Sequence, residues 1–366
     1  MTTSFRGLGL RAELVDALAV AGIEHPFAIQ QATIEDALAG ADVCGKAKTG
    51  SGKTLAFGLP LLQRIVEARP GHPTALILVP TRELASQVVE VLVPLGKSVN
   101  ARVCAFYGGT SLDRQMRNLT KRIEVAVATP GRLIDLLERG VIDLDQVSTL
   151  VIDEADRMAD MGFLPQVEWI MRKVTGVRQT LLFSATLDRE VDVLVRRYMN
   201  DPVRHEVEAD PDEVSDSLHR FLKVHDMDRV KVLTAIAAGV SRTMVFVRTK
   251  RGADRLVSQL KREGVVAAAI HGDLRQSARE RALKDFTDGN HAVLVATDVA
   301  ARGIHVDDVD VVIHFDPPEE QKGYVHRSGR TARAGNTGIV VTFVMWDQEL
   351  DVEKLQRRLG MREPII

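Results

Sequence analysis

Short apolar runs alternate along the chain with longer stretches of helical hydrophobic period. This alternation is typical of βαβ units, because strands of a parallel sheet are buried on both faces and are nearly continuous in apolar residues. The predicted strands of the first half are residues 75–79, 103–106, 125–128, 149–152 and 180–183. Those of the second half are residues 243–247, 265–270, 292–296, 309–315 and 339–344.

An acidic, proline-containing stretch separates these two series of strands. Residues 207–217 show no apolar period, so we interpret them as a linker. The sequence therefore predicts two α/β domains, residues 1–206 and 218–366, each a mostly parallel sheet flanked by helices. Ligands of such open sheets bind at the carboxyl ends of the strands, which makes the residues after each strand the candidate site residues.

Composition places the chain among ordinary globular proteins. It has 366 residues, of which 45% are hydrophobic and 27% charged, and it has no apolar run as long as the ~18 residues of a membrane span. There is no secretory signal, and two cysteines cannot build a disulfide framework, so we expect a cytoplasmic protein. With 48 basic and 50 acidic residues, charge alone gives no reason to expect a nucleic-acid partner.

A glycine-rich turn at residues 47–54 reads Ala-Lys-Thr-Gly-Ser-Gly-Lys-Thr and precedes an apolar helix predicted at residues 55–65. In a phosphate-binding loop, backbone N–H groups hold phosphate oxygens, the lysine reaches the β- and γ-phosphates, and the threonine hydroxyl ligates Mg²⁺. Lys53 and Thr54 are the candidates for these two roles. The alternative is a turn that only needs positive φ, and Ala47 departs from the commonest pattern.

Asp153 and Glu154 directly follow the predicted strand at residues 149–152. At a strand end near a phosphate loop, one carboxylate can hold Mg²⁺ and the other can orient the attacking water. An acidic pair in this position is also a common helix N-terminus, so the pair alone does not establish a site. The loop and the pair together predict a nucleotide hydrolase.

The tetrapeptide at residues 153–156, Asp-Glu-Ala-Asp, resembles that of the DEAD-box ATP-dependent RNA helicases. Further motifs of that family follow in order: a glutamine motif ending at Gln30, Pro-Thr-Arg-Glu-Leu-Ala at 80–85, Gly-Gly at 108–109, Thr-Pro-Gly-Arg at 129–132, Ser-Ala-Thr at 184–186, His-Gly-Asp at 271–273, Ala-Thr-Asp at 296–298, Ala-Arg-Gly at 301–303 and His-Arg-Ser-Gly-Arg-Thr-Ala-Arg at 326–333. The resemblance implies a bacterial-type core of two RecA-like domains with little or no C-terminal extension. It also implies ATP and Mg²⁺ as ligands, RNA as the partner and a monomeric core.

The resemblance implies a role for each matching residue. Catalysis would fall to Lys53, Asp153, Glu154, Arg327 and Arg330, the two arginines acting at the γ-phosphate. ATP would contact Phe5, Gln30, Thr49, Gly50, Ser51, Gly52, Lys53, Thr54, Gly303, Arg327 and Arg330. Mg²⁺ would be held by Thr54 and Asp153, and Ser184 and Thr186 would couple the sites. The RNA backbone, bound without sequence preference, would contact Arg82, Gly109, Thr129, Arg132, His271, Gly272, Arg279 and Thr297.

Two positions depart from the family pattern. Ile23 stands where many members have an aromatic residue, and His305 stands where an aspartate usually contacts the ribose. The predicted function is an ATP-dependent RNA helicase that hydrolyses ATP in an RNA-stimulated manner and unwinds short duplexes or remodels RNA–protein complexes. One alternative is an ATP-gated RNA clamp without strand separation. Another is a P-loop kinase or small-molecule ATPase, which leaves Arg327 and Arg330 unexplained.

Overall fold

The computed structural model describes residues 4–47, 50–176, 178–207, 217–301, 309–331 and 338–366. The chain divides into two compact units, Met1–Ala209 (unit 1) and Asp210–Ile366 (unit 2). Each unit contains one parallel β-sheet with packed helices, which confirms the predicted fold class. No helix within the described ranges is long and apolar enough to span a bilayer.

Unit 1 is built around a seven-stranded sheet of order β3-β4-β2-β5-β6-β1-β7. Its strands are β1 Val43–Lys46, β2 Ala75–Leu78, β3 Val103–Phe106, β4 Val125–Ala128, β5 Thr149–Asp153, β6 Gln179–Ser184 and β7 Val203–Glu206. Its helices are α1 Ala12–Val20, α2 Ala28–Ala39, α3 Lys53–Gln63, α4 Arg82–Ser98, α5 Leu112–Leu119, α6 Pro130–Glu138, α7 Ala155–Asp160, α8 Leu164–Lys173 and α9 Arg189–Tyr198.

The central strands of this sheet are buried on both faces. In β2, Ala75 and Ile77 pack into one hydrophobic cluster, whereas Leu76 and Leu78 pack into a second cluster on the opposite face. Adjacent residues of a strand point to opposite faces, so both clusters are needed to cover a run without polar residues. Every pair in the sheet is parallel, and the polar segments after the strands therefore emerge along one edge.

The hydrophobic pattern missed two strands and placed one helix two residues too late in the chain. β1 contains Gly45 and ends at Lys46, and β7 alternates half-buried with exposed residues, so neither has the apolar run that marks a buried strand. A side chain at position 45 would lie 2.6 Å from the ring of Phe183, which explains the glycine. Helix α3 begins at Lys53, two residues before the predicted start.

Unit 2 has a six-stranded sheet of order β10-β11-β9-β12-β13-β8. Its strands are β8 Leu218–Lys223, β9 Thr243–Phe246, β10 Ala267–Ile270, β11 Val293–Ala296, β12 Val311–His314 and β13 Ile339–Val344. Its helices are α10 Arg229–Ala237, α11 Lys250–Arg262, α12 Gln276–Thr287, α13 Asp298–Ala301, α14 Gln321–Ser328 and α15 Glu349–Leu359, with a 3-10 turn at Asp226–Asp228.

The sequence also missed β8, which pairs with β13 at the edge of this sheet. Phe221 is its one fully buried residue, so the strand has no continuous apolar run. In unit 1, the Val207 N–H donates to the Lys46 carbonyl at 3.0 Å, so the ladder continues one residue past the predicted domain end. Most of the predicted linker, residues 208–216, lies outside the described residues.

A fully buried histidine lies at the end of β12. His314 Nδ1 is 3.0 Å from the Thr342 hydroxyl oxygen, and the His314 ring meets the Tyr324 ring edge-on with centroids 4.8 Å apart. Burial, together with the positive charge of Arg327, lowers the pKa of His314 well below its usual value. Folded unit 2 therefore holds this ring in the neutral form.

This burial predicts a pH dependence of stability. The unfolded chain binds a proton at His314 below about pH 6.5, whereas the folded chain does not, so the free energy of unfolding should fall as the pH drops. The slope contributed by His314 is at most about 1.4 kcal/mol per pH unit, and His314→Asn should remove it. Burial also lowers the pKa of the neighbouring His219, so the contribution of His219 to the slope should remain in this variant.

Urea unfolding between about pH 5.5 and pH 7.5 measures this slope. Far-ultraviolet circular dichroism follows the loss of helix in both units. The exposed His225 gives a matched control, because His225→Asn should leave the slope in place. Equal slopes for the native chain and His314→Asn would contradict the assignment.

Candidate nucleotide and nucleic-acid site

The glycine-rich turn lies between β1 and α3. Gly50 and Gly52 have φ values of 86° and 83°, and Gly52 is the N-cap of α3. The next residue, Lys53, is buried, and its ammonium donates to the Ala47 carbonyl at 3.1 Å. Ser51 and Thr54 are half-buried within the same turn, whereas Thr49 lies outside the described residues. A helix N-terminus beside a lysine is an arrangement that can bind a phosphate.

Gln30 packs directly against this turn and is only 2% exposed, so it is not an exposed helix residue. Its Nε2 donates to the Gly52 carbonyl at 2.9 Å, and its Oε1 accepts from the Phe27 N–H at 2.9 Å. A side chain at position 52 would lie 2.3 Å from Gln30 Nε2, so this contact requires glycine. A primary amide has two N–H donors and two lone pairs on its oxygen. The Gln30 amide therefore keeps one N–H and one lone pair for hydrogen bonds with the edge of a base.

An exposed aromatic ring lies beside the turn, at a position that the sequence did not single out. Phe5 is 2% exposed and packs in the hydrophobic cluster that covers one face of the sheet. Phe27 is 59% exposed, and its Cδ2 lies 2.8 Å from the point where a Gly52 Cβ would be. Exposed phenylalanine is uncommon, and the position of Phe27 could not be deduced from its local sequence, where it only precedes α2.

The acidic pair ends β5 in a buried position. Burial raises the pKa of the Asp153 carboxyl to about 7, although the nearby Lys53 ammonium opposes the shift. Glu154 has a left-handed backbone with φ of 54°, which is strained for a residue with a side chain. Its Oε2 lies 2.5 Å from a guanidinium nitrogen of Arg157, and both side chains are buried. The two carboxylates therefore have distinct surroundings, one beside a lysine and one beside an arginine.

Asp156 joins the acidic segment to the end of β6, a role that the sequence did not reveal. Its backbone N–H donates to the Ser184 hydroxyl at 3.1 Å, and its Oδ2 accepts from the N–H and hydroxyl of Thr186 at 3.1 and 3.3 Å. The Ser184 carbonyl in turn accepts from the Ala47 N–H at 3.0 Å. Hydrogen bonds thus connect the glycine-rich turn, the acidic segment and the segment at 184–186.

Four further predicted residues follow β2, β3 and β4. Gly109 has φ of +80°, and a Cβ there would lie 1.9 Å from Nη1 of Arg82, so the guanidinium lies directly over this turn. Thr129 is the N-cap of α6. Arg132, one turn into that helix, donates to Gln115 at 2.7 Å and to the Thr110 carbonyl at 3.4 Å. The structure therefore brings Arg82, Gly109 and Arg132 to one region.

The strand order divides the sheet edge of unit 1 into two adjoining regions. The segments after β5, β6 and β1 carry the predicted nucleotide residues, and these strands are neighbours. The segments after β3, β4 and β2 carry the predicted RNA residues, and these strands are also neighbours. Because β2 pairs with β5, the two regions meet at the centre of one sheet.

In unit 2 the predicted RNA residues cluster after β10 and β11. His271 is buried, and its Nε2 lies 2.9 Å from an Asp254 carboxylate oxygen. Gly272 follows it, and the Thr297 N–H donates to the Ile270 carbonyl at 3.2 Å. Arg279, also buried, donates to the Ala300 carbonyl at 3.3 Å. Gly303 and His305 lie outside the described residues.

Arg327 is engaged within its own unit. Two of its nitrogens donate to the two carboxylate oxygens of Asp298 at 2.6 and 2.7 Å, and the third donates to the Asp316 carbonyl at 2.7 Å. The guanidinium also lies 5.3 Å from the centroid of the Phe246 ring. Arg330 is buried one turn further along the chain. The motif implies the same role for both arginines, and the structure buries both side chains.

Two family models match the chain. The DEAD/DEAH box helicase model matches residues 27–194, and the helicase conserved C-terminal domain model matches residues 226–335. The DEAD-box ATP-dependent RNA helicase CshA of Geobacillus kaustophilus is 43% identical over 93% of this chain and 73% of its own length. The mitochondrial DEAD-box ATP-dependent RNA helicase 9 of Arabidopsis thaliana is 40% identical over 97% of this chain. The chain spans 59% of that relative's length.

A solved structure is also similar to this chain along its whole length. S. cerevisiae Dbp5 bound to RNA and ADP BeF3 matches with a TM-score of 0.87 and 30% identity, covering 100% of this chain and 95% of that one. The matched residues include the phosphate turn, the acidic pair and the arginine motif, whose order along the sequence first indicated this family. The chain belongs to the DEAD-box ATP-dependent RNA helicases.

Proposed function

We propose that the chain couples ATP hydrolysis to RNA binding and locally unwinds short RNA duplexes. The observation that carries this proposal is the strand order of unit 1, in which nucleotide-side and RNA-side residues lie on adjoining strands of one sheet edge. Backbone amides and a few arginines hold phosphates without reading bases, so the RNA contacts are independent of sequence. The relatives that are named as RNA helicases and the RNA bound in the Dbp5 structure support the same proposal.

ATP binding would use groups that now contact one another. The β- and γ-phosphates would replace the Ala47 carbonyl as the acceptor for Lys53, since an anion is the stronger acceptor for an ammonium. The adenine edge would meet the Gln30 amide, which the Gly52 carbonyl and the Phe27 N–H hold in place. The position of the exposed Phe27 ring makes it the aromatic contact that we propose for the base.

The residues of this site fit Mg²⁺. A threonine hydroxyl at position 54 and a carboxylate at position 153 are the hard oxygen donors that this ion prefers. Burial raises the pKa of Asp153 to about 7, so a cation beside it would stabilise the charged form that burial opposes. When bound, Mg²⁺ would neutralise charge on the phosphate oxygens.

Glu154 is the residue that we propose for orienting the attacking water. Its left-handed backbone turns the chain at the end of β5, and such strain persists at functional sites where the surrounding structure holds it. The Arg157 ion pair and the Asp156 hydrogen bonds provide that support. Replacing the carboxylate by an amide keeps the shape and removes the charge, which makes Glu154→Gln the informative variant.

The first prediction for this site concerns turnover. Lys53→Ala and Glu154→Gln should each lower the RNA-stimulated ATPase rate by about a hundredfold or more, because each removes a charged group from phosphoryl transfer. Lys97→Ala, at an exposed position of α4, is the control and should leave the rate unchanged. The rate of phosphate release, with and without RNA, measures this ATPase activity.

The same assay separates the alternatives. Full turnover in both variants would overturn the proposed mechanism. ATPase activity that RNA does not stimulate would favour a small-molecule ATPase. RNA-stimulated activity without separation of a short duplex would favour an ATP-gated clamp.

The second prediction distinguishes the two arginines. We propose that Arg330 acts at the γ-phosphate, so Arg330→Ala should lower kcat by about a thousandfold. Arg327→Ala should instead lower the unfolding temperature, because it removes the bidentate contact of a buried guanidinium with the half-exposed Asp298. Equal losses of kcat at unchanged stability would show that Arg327 also acts at the phosphate, as the motif alone implies.

The third prediction concerns the two phenylalanines. Phe27→Ala should raise the KM for ATP by roughly tenfold, because a stacked ring contributes about 1–1.5 kcal/mol. Phe5→Leu should lower stability and leave the KM unchanged, since Phe5 is buried in the core. A Phe5 variant that raises the KM while Phe27→Ala does not would reverse this assignment.

A further inference from the structure

Gln115 links the segments that carry the unit 1 RNA residues. It lies on α5 and is 6% exposed, yet it belongs to none of the motifs that identify the family. Its Nε2 donates to the Tyr107 carbonyl at 2.9 Å and to the Thr110 hydroxyl at 2.6 Å. Its Oε1 accepts from Nη1 of Arg132 at 2.7 Å. One buried amide thus holds both the loop that contains Gly109 and the arginine at the start of α6.

Both ends of this link bear on the proposed RNA surface. Thr110 follows Gly109, whose positive φ creates the turn beneath the Arg82 guanidinium. Arg132 donates to the Thr110 carbonyl as well, so the arginine and the turn are tied together through Gln115 and through each other. The nucleotide residues lie after other strands of the sheet, and the described hydrogen bonds of Gln115 do not reach them.

The chemistry of the amide suits a group that positions a cation. The Gln115 oxygen accepts from Arg132 but carries no formal charge, so it does not neutralise the guanidinium, and the ion pair of Arg132 with Asp135 is long at 3.9 Å. A carboxylate in the same place would compete with a phosphate for the arginine. A carboxylate would also lack the N–H groups that Gln115 donates to the Tyr107 carbonyl and the Thr110 hydroxyl, and these hydrogen bonds hold the loop.

We propose that Gln115 is a positioning residue for RNA binding, which sets Arg132 and the Gly109 turn to receive an RNA phosphate. This inference rests on the proposed RNA-binding function. It assigns to Gln115 an effect on RNA affinity and none on ATP binding or on the chemical step.

The test measures binding of a labelled single-stranded RNA by fluorescence anisotropy in the presence of a non-hydrolysable ATP analogue. Gln115→Glu and Gln115→Met should each weaken RNA binding by about tenfold or more, because each breaks hydrogen bonds that fix a charged group. The KM for ATP and kcat at saturating RNA should stay within about twofold of the native values. A merely structural glutamine would change these kinetic values and the unfolding temperature together.

A charge-matched control is available in the same unit. Gln146 is exposed and precedes β5, at the opposite edge of the sheet, so Gln146→Glu adds the same charge far from the proposed surface. It should leave RNA affinity unchanged. If Gln146→Glu weakens binding as much as Gln115→Glu does, net charge is the cause and the proposal fails.

A double-mutant cycle with Arg132→Ala tests the route of the effect. If Gln115 acts through Arg132, the loss of affinity in Gln115→Met with Arg132→Ala should be clearly less than the product of the two single losses. Native RNA affinity in both Gln115 variants, beside a weakened Arg132→Ala, would overturn this inference and leave the proposed function standing. A native chain that binds no RNA would overturn both.

Discussion

The parallel pairing of fully buried strands is the constraint on which the site of unit 1 depends. Its apolar strands are covered on both faces, so polar chemistry is confined to the segments at the sheet edges. Because the pairs are all parallel, the segments after β1, β5 and β6 open at the same edge as those after β2, β3 and β4. Residues separated by a hundred positions in the sequence, such as Lys53 and Asp153, thereby come within electrostatic reach of each other.

The register of β5 against β6 gives this edge its internal connection. Asp153 lies opposite Phe183, which brings Asp156 within hydrogen-bonding distance of Ser184 and Thr186. The Ser184 carbonyl also binds the backbone of the phosphate turn. Hydrogen bonds therefore connect the phosphate turn and the acidic strand end through the segment at residues 184–186. A connected set of hydrogen bonds is a physical means of coupling two ligands, because breaking one that is buried leaves a polar group unpaired.

The apolar strands and the family were predictable from the sequence, whereas the edge strands and several contacts of the site were not. Continuous apolar runs revealed β2, β4 and β5, and motif order revealed the family. Strands at a glycine or at a half-exposed edge, such as β1 and β8, have no such run and were missed. The roles of Phe27, Asp156 and Gln115 depend on which segments the strand order brings together, and the setting of Arg327 depends on Asp298 across unit 2. No local pattern contains that information.

The near-zero net charge fits a protein that holds RNA through a few positioned groups rather than through a broad basic surface. Measuring RNA affinity with and without a non-hydrolysable ATP analogue tests most directly whether nucleotide and RNA bind to coupled regions of one sheet edge. We expect tighter RNA binding with the analogue, and tighter analogue binding with RNA by the same factor. Equal RNA affinity in both conditions would contradict it.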